Sequence, residues 1–224
     1  MVSLGSLATE STVSATPVTG GIIFNDYVIN TDNNLVFYRG DVTTDNRTEV
    51  YMSTLAVPSV TTRLNVAVGA NSDVFEFQVN SDATAVVFRA DIQSGRNLLY
   101  IVQLDTPGVQ TLLSLPASNT AYDVFEFQLT DSGVIYRGDL VLSSKNELYR
   151  TEFSSPGTAT TLVQMTNAFD VDTFRVSGSN VFYRADPIRS NVSEILYVDS
   201  DVPQVTTTLT PFPAATNIEN LQAF

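Results

Sequence analysis

Residues 86–91 read Val-Val-Phe-Arg-Ala-Asp, and this pattern of apolar residues, an arginine, a small residue and an aspartate occurs four times in the chain. The four arginines follow one another at intervals of 50, 48 and 47 residues. Self-similarity at a period of about 20 to 50 residues is typical of repeat architectures, in which each unit stacks on the next. The pattern therefore indicates a repeat fold. Its copies are Phe37-Tyr38-Arg39-Gly40-Asp41, Val87-Phe88-Arg89-Ala90-Asp91, Ile135-Tyr136-Arg137-Gly138-Asp139 and Phe182-Tyr183-Arg184-Ala185-Asp186.

Each repeat contains four strand-like runs. A tyrosine at Tyr51, Tyr100, Tyr149 and Tyr197 provides a second landmark with nearly the same spacing. The runs are rich in Val, Phe, Tyr and Thr, which favour strands, and turn residues separate them. In the second unit they predict strands over 73–79, 84–91, 97–104 and 109–114. No sustained 3.6-residue apolar period predicts a helix.

These features predict an all-β fold, a β-propeller of four-stranded blades. Residue 36 and its repeat equivalents are apolar, as are their neighbours, so the second strand of each unit is expected to be covered on both faces, as between stacked blades. The full repeats are expected at about 23–66, 72–115, 122–166 and 170–210, with a split fifth unit from the termini, 1–20 and 214–224. The repeat pattern breaks inside a unit at both termini. This is compatible with a closed ring, with a fragment of a longer array and with an assembly completed by another copy.

The recurring arginines are predicted to clamp each blade to the next one. An arginine among apolar side chains needs an acidic partner, because an unpaired buried charge is costly. Acids at the start of the following unit occur in phase with each arginine. The aspartate two residues after each arginine is expected to bond the following turn. The predicted pairs are Arg39 with Asp73 and Glu76, Arg89 with Asp123 and Glu126, Arg137 with Asp170 and Asp172, and Arg184 with Asn217 and Glu219.

The composition excludes several kinds of chemistry. The 224 residues include no cysteine and no histidine, which removes thiolate nucleophiles, zinc–thiolate sites and the usual general base. A formal charge of −13 opposes binding to nucleic acid. We expect no membrane span, and no secretion signal within this chain. The acidic, lysine-poor composition favours a periplasmic or secreted protein, and no enzymatic activity is predicted.

An alternative function uses the acidic side chains of the first strands. These strands line the channel of a propeller, so their carboxylates could converge near the axis and bind Ca²⁺, which prefers oxygen ligands. The same carboxylates could act on carbohydrate, although tryptophan, the preferred stacking partner of sugars, is absent. No other cofactor is expected. The candidate metal ligands are Asp73, Glu76, Asp123, Glu126, Asp170 and Asp172.

The repeat resembles the WD40-like repeat of TolB-type β-propellers. The resemblance rests on Phe77-Gln78-Val79-Asn80-Ser81-Asp82, on the arginine strand, on Leu98-Leu99-Tyr100 and on Gly108-Val109-Gln110-Thr111-Leu112-Leu113, and covers about 25–210. It implies a propeller built for binding, in a family that includes periplasmic envelope proteins and accessory domains of peptidases. We therefore expect a non-enzymatic binding or structural module, with a protein partner or self-association.

Overall fold

The protein is represented by a computed structural model that describes residues 12–57, 60–66, 69, 72–93, 95–114, 123–141, 145–165, 170–186 and 193–209. Those residues form sixteen strands and no helix. The strands are β1 Ile23–Asn30, β2 Leu35–Gly40, β3 Glu49–Thr54, β4 Thr61–Arg63, β5 Val74–Val79, β6 Ala85–Gln93, β7 Arg96–Gln103, β8 Gln110–Leu112, β9 Val124–Leu129, β10 Gly133–Gly138, β11 Glu147–Glu152, β12 Ala159–Val163, β13 Val171–Ser177, β14 Asn180–Ala185, β15 Glu194–Asp199 and β16 Thr206–Thr208.

The strands form four antiparallel sheets of four, each a simple meander in chain order. We call them sheet 1 (β1–β4), sheet 2 (β5–β8), sheet 3 (β9–β12) and sheet 4 (β13–β16). The prediction of an all-β fold made of four-stranded units is confirmed. The predicted fifth unit falls mainly on residues 1–11 and 214–224, which lie outside the described residues.

Both faces of each inner sheet are buried. Ile135 and Leu148 of sheet 3 share one core with Val181 and Tyr183 of sheet 4, so they lie on the face of sheet 3 that meets sheet 4. We call this the following face, and the opposite face, which meets the sheet before, the preceding face. Because successive side chains of a strand point to opposite faces, the apolar pairs of the second strands fill both interfaces.

The fourth tyrosine landmark is out of phase with the other three. Tyr51, Tyr100 and Tyr149 each pair with the aromatic residue just before the arginine, and their rings stack at 5.5 to 5.8 Å between centroids. In sheet 4 that position belongs to Leu196, while Tyr197 pairs with Phe182 on the other face. A shift of one residue in a strand reverses the face of a side chain, so the spacing of this landmark alone was misleading.

Candidate functional site

The first strand of every sheet is irregular opposite the arginine. In sheet 2, Val74 pairs with Ala90 and Glu76 with Arg89, which leaves Phe75 as an extra residue, as in a β-bulge. Arg89 Nε lies 3.0 Å from Glu76 Oε1, and its guanidinium carbon lies 5.3 Å from the centre of the Phe75 ring. The irregularity thus brings a carboxylate and an aromatic face to one arginine.

The arginines pair within their own sheets, so the acidic partners predicted from the sequence were wrong. The error has a physical cause at two of the arginines: Arg89 and Arg137 lie directly across the strand pair from Glu76 and Glu126 of their own first strands, and side chains opposite each other on one face of a sheet lie close together. Asn217 and Glu219, the predicted partners of Arg184, lie outside the described residues. The observed pairs are Arg39–Asp26 at 2.8 Å, Arg89–Glu76 at 3.0 Å, Arg137–Glu126 at 3.6 Å and Arg184–Asp172 at 3.1 Å.

Two arginines reach the next sheet through its backbone. Arg39 Nη1 donates to the carbonyl oxygen of Val74 at 2.7 Å, and Arg137 Nη1 donates to that of Val171 at 3.5 Å. Both acceptors lie at the start of the following sheet's first strand. A contact between sheets therefore exists at these two arginines, but it uses a carbonyl oxygen where the sequence predicted a carboxylate.

Aspartates at the start of the first strands form hydrogen bonds with the backbone of the preceding sheet. Asp73 Oδ1 accepts the N–H of Thr48 at 2.8 Å, and Val74 donates its own N–H to the Thr48 carbonyl at 2.9 Å. The same contact recurs at Asp123, which accepts from Asn97, and at Asp170, which accepts from Asn146, both at 2.7 Å. Each aspartate thus satisfies a backbone donor of its neighbour.

The aspartates that follow the arginines orient this contact. Asp91 Oδ1 accepts the N–H of Asp73 at 2.5 Å, and Asp139 Oδ1 accepts that of Asp123 at 2.6 Å. The sequence analysis predicted bonds from these side chains to the following turn and did not predict this contact with the start of the first strand. The antiparallel pairing of the first two strands puts the end of the second strand beside the start of the first.

Two glutamines, which the sequence analysis did not select, form a further link between first strands. Gln78 donates through Nε2 to the Phe127 carbonyl at 2.9 Å and accepts the Leu129 N–H at 3.1 Å. Gln128 makes the same two bonds with Phe174 and Val176, at 3.2 and 2.9 Å. A primary amide matches one donor and one acceptor of a strand edge, so each glutamine satisfies the open edge of the next sheet.

Buried glutamates beside the tyrosine landmark were also missed. Glu49 and Glu147 are almost fully buried and accept the hydroxyl protons of Tyr51 and Tyr149, at 2.5 and 2.8 Å. Burial and the adjacent carboxylate raise the pKa of Tyr149 well above its usual range. In sheet 2 a leucine, Leu98, stands where these sheets have a glutamate, and the buried Tyr100 hydroxyl has no hydrogen-bond partner among the residues that the structure describes.

Arg150 forms an ion pair across the interface of sheets 3 and 4, where Arg175 of β13 also pairs with Glu126 of β9 at 2.9 Å. Arg150 extends from β11 to Asp201 of sheet 4 at 2.6 Å and also contacts Glu152 at 2.6 Å. Its Nη1 donates to the Ser200 carbonyl at 3.2 Å. Arg150, Ser200 and Asp201 border a cavity of about 450 Å³ between sheets 3 and 4. Arg150 lies outside the arginine pattern, and its repeat equivalents are not arginines, so the sequence gave no signal for it.

The candidate metal ligands do not come together. Asp73, Asp123 and Asp170 accept backbone N–H groups, while Glu76, Glu126 and Asp172 pair with arginines. Within the described part of the chain, no group of three or more acidic side chains is close enough to hold a metal ion. The positions of these six acidic side chains and their bonds to backbone N–H groups and arginines favour a structural role.

Comparison with solved structures identifies the architecture. A prolyl endopeptidase matches with a TM-score of 0.60 and 14% identity over 86% of this chain and 29% of its own, and oligopeptidase B from Trypanosoma brucei with 0.59 and 13% over 83% and 27%. A TolB protein from Agrobacterium tumefaciens matches with 0.54 and 16% over 89% and 68%. The chain has a propeller-type fold. No protein-family model and no curated protein matched the sequence.

At these identities the likeness concerns the fold alone. The chain spans less than a third of the length of either peptidase structure. The described residues of this propeller-type chain include no helix that could cross a bilayer.

Proposed function

We propose that this chain is a non-enzymatic propeller-type module that works by binding, and that its partner is a second copy of itself joined head to tail. The observation that carries the proposal is the exposure of Tyr27. Its register equivalents Phe77, Phe127 and Phe174 are 9, 2 and 0% exposed, whereas Tyr27 is 61% exposed. The same position is therefore buried in three sheets and open in the first.

The exposed position forms part of an incomplete interface. On the preceding face of sheet 1, Val13 packs beside Tyr38 and Tyr51, and the Ala15 N–H donates to the Tyr38 hydroxyl at 2.8 Å. This contact lies on the second and third strands of the sheet, β2 and β3. Tyr27 and Ile29 on the innermost strand remain more than half exposed. Adjacent exposed apolar side chains on an edge strand are typical of a surface that binds protein.

The repeat itself indicates the partner. In sheets 2 to 4, the residue equivalent to Tyr27 is covered by the preceding unit of the same chain, so the complementary surface is one that this repeat already makes. A second copy can present such a unit at its other end. Contacts between two different surfaces of identical chains are head to tail, and they close into rings or extend into filaments.

The absence of enzymatic activity is part of the proposal. Every acidic candidate of the first strands is engaged with backbone or arginine, and the sequence has neither cysteine nor histidine. Catalytic carboxylates need pKa values tuned by their surroundings, and the described candidates instead have the partners of structural groups.

Sedimentation velocity over a range of protein concentrations tests the proposal. We expect a concentration-dependent shift from monomer to larger species, strengthened by salt because copies of charge −13 repel each other. Tyr27→Asp should abolish the shift, whereas Val109→Asp, at an equally exposed valine, should leave it unchanged. A chain that stays monomeric at all concentrations, or a Tyr27→Asp variant that associates like the original, contradicts the proposal.

A further inference from the structure

The turns that border the cavity beside Arg150 are shorter than their equivalents in sheets 1 and 2. The turns between the first and second strands of the four sheets span 31–34, 80–84, 130–132 and 178–179. Between sheets 1 and 2 the longer turns touch, because Asn33 Nδ2 donates to the Asp82 carbonyl at 3.3 Å. Between sheets 3 and 4 the shorter turns border the cavity of about 450 Å³. The turn lengths thus leave space at this interface where sheets 1 and 2 have a direct contact.

Arg150 lies in the wall of this cavity, at a position that is uncharged in the other sheets. Its side chain is 19% exposed, and the carboxylates of Asp201 and Glu152, each at 2.6 Å, hold the guanidinium in place. A charged group in an otherwise apolar interface is costly unless polar groups surround it, so this interface is built around polar groups. The equivalent residues are Met52 in sheet 1, Ile101 in sheet 2 and Tyr197 in sheet 4.

The other walls of the cavity combine hydrogen-bonding groups with a small apolar surface. Hydroxyl-bearing residues of the lining are Thr130, Ser132, Ser179 and Ser200. The lining also includes the acidic residues Asp131 and Asp201 and the apolar residues Leu129 and Val176. A volume of about 450 Å³ lies within the range of ~300 to 1,000 Å³ that is usual for small-molecule sites. The cavity can therefore hold a small molecule, and its lining determines which class binds.

The lining disfavours an ionic ligand. Asp131, Asp201 and Glu152 outnumber Arg150, and the whole chain carries a formal charge of −13, so an anion would be repelled. A cation such as an ammonium group can only donate hydrogen bonds, whereas each serine and threonine hydroxyl also has a proton of its own to donate. An alcohol group both donates and accepts, so it matches the carboxylates and the hydroxyls of the lining alike.

We propose that the cavity between sheets 3 and 4 binds a neutral carbohydrate of one or two sugar rings. The sugar hydroxyls donate to Asp131 and Asp201 and bond with Ser132 and Ser179, while C–H groups of a ring contact the apolar part of the lining. The lining belongs to sheets 3 and 4 of one chain and does not include Tyr27, so this binding goes beyond the association proposed above. No bond of the sugar is broken.

Amide chemical shifts of the isotope-labelled full chain test the proposal. The probes are maltose, cellobiose, sucrose and trehalose, each titrated to about 50 mM, which covers dissociation constants in the millimolar range. We expect at least one sugar to shift the amide signals of Asp131, Ser179 and Asp201 to saturation. The amide signals of sheet 1 should stay in place.

Two variants and two matched controls connect the shifts with the cavity. Arg150→Met introduces the side chain that sheet 1 has at this position and should weaken binding about tenfold or more, because Asp201 loses the partner that positions it. Ser179→Leu keeps the arginine and should weaken binding as much by filling the cavity. Arg47→Met and Ser81→Leu make the same changes away from the cavity and should leave the affinity unchanged. The spectrum of each variant also shows whether the chain is folded.

The outcomes decide between the classes of ligand. A localised, saturable shift that both cavity variants weaken and both controls keep supports the proposal. Tighter binding of spermidine than of every sugar at the same amides would overturn it by assigning the cavity to a cation. Shifts that spread over the surface, that persist in either cavity variant or that are lost equally in the controls would overturn it as well. An absence of shifts with all of the sugars would have the same consequence.

Discussion

The carboxylate of Asp73 accepts the backbone N–H of Thr48 at 2.8 Å, so a side chain at the start of sheet 2 fixes the main chain of sheet 1. Thr48 is buried, and its N–H would lack a partner without this carboxylate. Asp123 and Asp170 repeat the contact at the next two interfaces. Neighbouring sheets are thus joined by polar contacts as well as by their apolar faces.

Replacing Asp73 should weaken the interface between sheets 1 and 2. We expect Asp73→Ala to lower the free energy of unfolding by about 1 to 3 kcal/mol, because a buried N–H loses its acceptor. Asp73→Asn should lose less, since the amide keeps an oxygen acceptor. Urea denaturation measures both, with exposed Asp32→Ala as the control. Equal stability of Asp73→Ala and the control would contradict this role.

The arginine pattern should contribute less than a fully buried ion pair. The side chains of Arg89 and Glu76 are 19 and 40% exposed, so water screens their attraction. We expect Arg89→Ala to cost about 1 to 2 kcal/mol of unfolding free energy, and Glu76→Gln to cost less, because the arginine keeps its contact with Phe75. Denaturation of both variants, with Arg47→Ala as the control, tests the predicted order of the losses in unfolding free energy. A loss at Arg89 no larger than at Arg47 would show that the pattern does not stabilise the fold.

The interface between sheets 1 and 2 lacks the glutamine contact and should gain from its introduction. Val28 occupies the register position of Gln78 and Gln128. Val28→Gln should stabilise the chain by about 0.5 to 1 kcal/mol by bonding the Phe77 carbonyl and the Val79 N–H. Val109→Gln, also on an exposed valine, is the control. If neither Val28→Gln nor Gln78→Ala changes the free energy of unfolding, the glutamine contact does not stabilise these interfaces.

Two tyrosines with different surroundings should respond differently to loss of the hydroxyl. Tyr149→Phe removes the donor to the buried Glu147 carboxylate and should cost about 1.5 to 3 kcal/mol. Tyr100→Phe removes a buried hydroxyl that makes no hydrogen bond within the described part of the chain, and it should be neutral or stabilising. Calorimetry of the two variants compares them directly, and similar losses would contradict the assignment.

Alkaline pH should destabilise the protein through the same tyrosines. Burial, and to a smaller extent the charge of Asp91, raise the pKa of Tyr100 to about 12 from 10.0, while Arg96 opposes the rise. The native state therefore keeps a proton that the unfolded chain loses, so this stability is complete below pH 10 and declines as pH rises towards 12. Denaturation across this range should show the decline, and Tyr100→Phe should make it shallower. An unchanged slope in that variant would contradict the assignment.

The sequence predicted the units well because their signal is local. Strand-forming runs separated by turn residues recur at a nearly constant interval, and the second unit's predicted strands at 73–79 and 97–104 lie within a residue of β5 and β7. The partners of Arg89 and of Asp91 could not be read in this way. They depend on pairing between strands and on an extra residue opposite the arginine, neither of which spacing along the chain specifies.

The missed residues divide into two kinds. Gln78 and Gln128 occupy the same position in two nearly identical segments, so their recurrence was a usable signal. Arg150 had none, since its bond to Asp201 depends on how two sheets stack. The phase of Tyr197 was likewise fixed by strand register, which differs by one residue from the spacing of the tyrosines.

The bonds made by Gln78, Gln128 and the aspartates at 73, 123 and 170 end on peptide groups, which every amino acid except proline offers in the same form. Such bonds do not depend on which side chains the neighbouring sheet carries. A segment of one repeat length could accordingly be duplicated, deleted or exchanged during evolution while keeping these junctions, and apolar volume would be the main quantity to readjust. Repeats could be recombined in the laboratory in the same way, with these junctions kept.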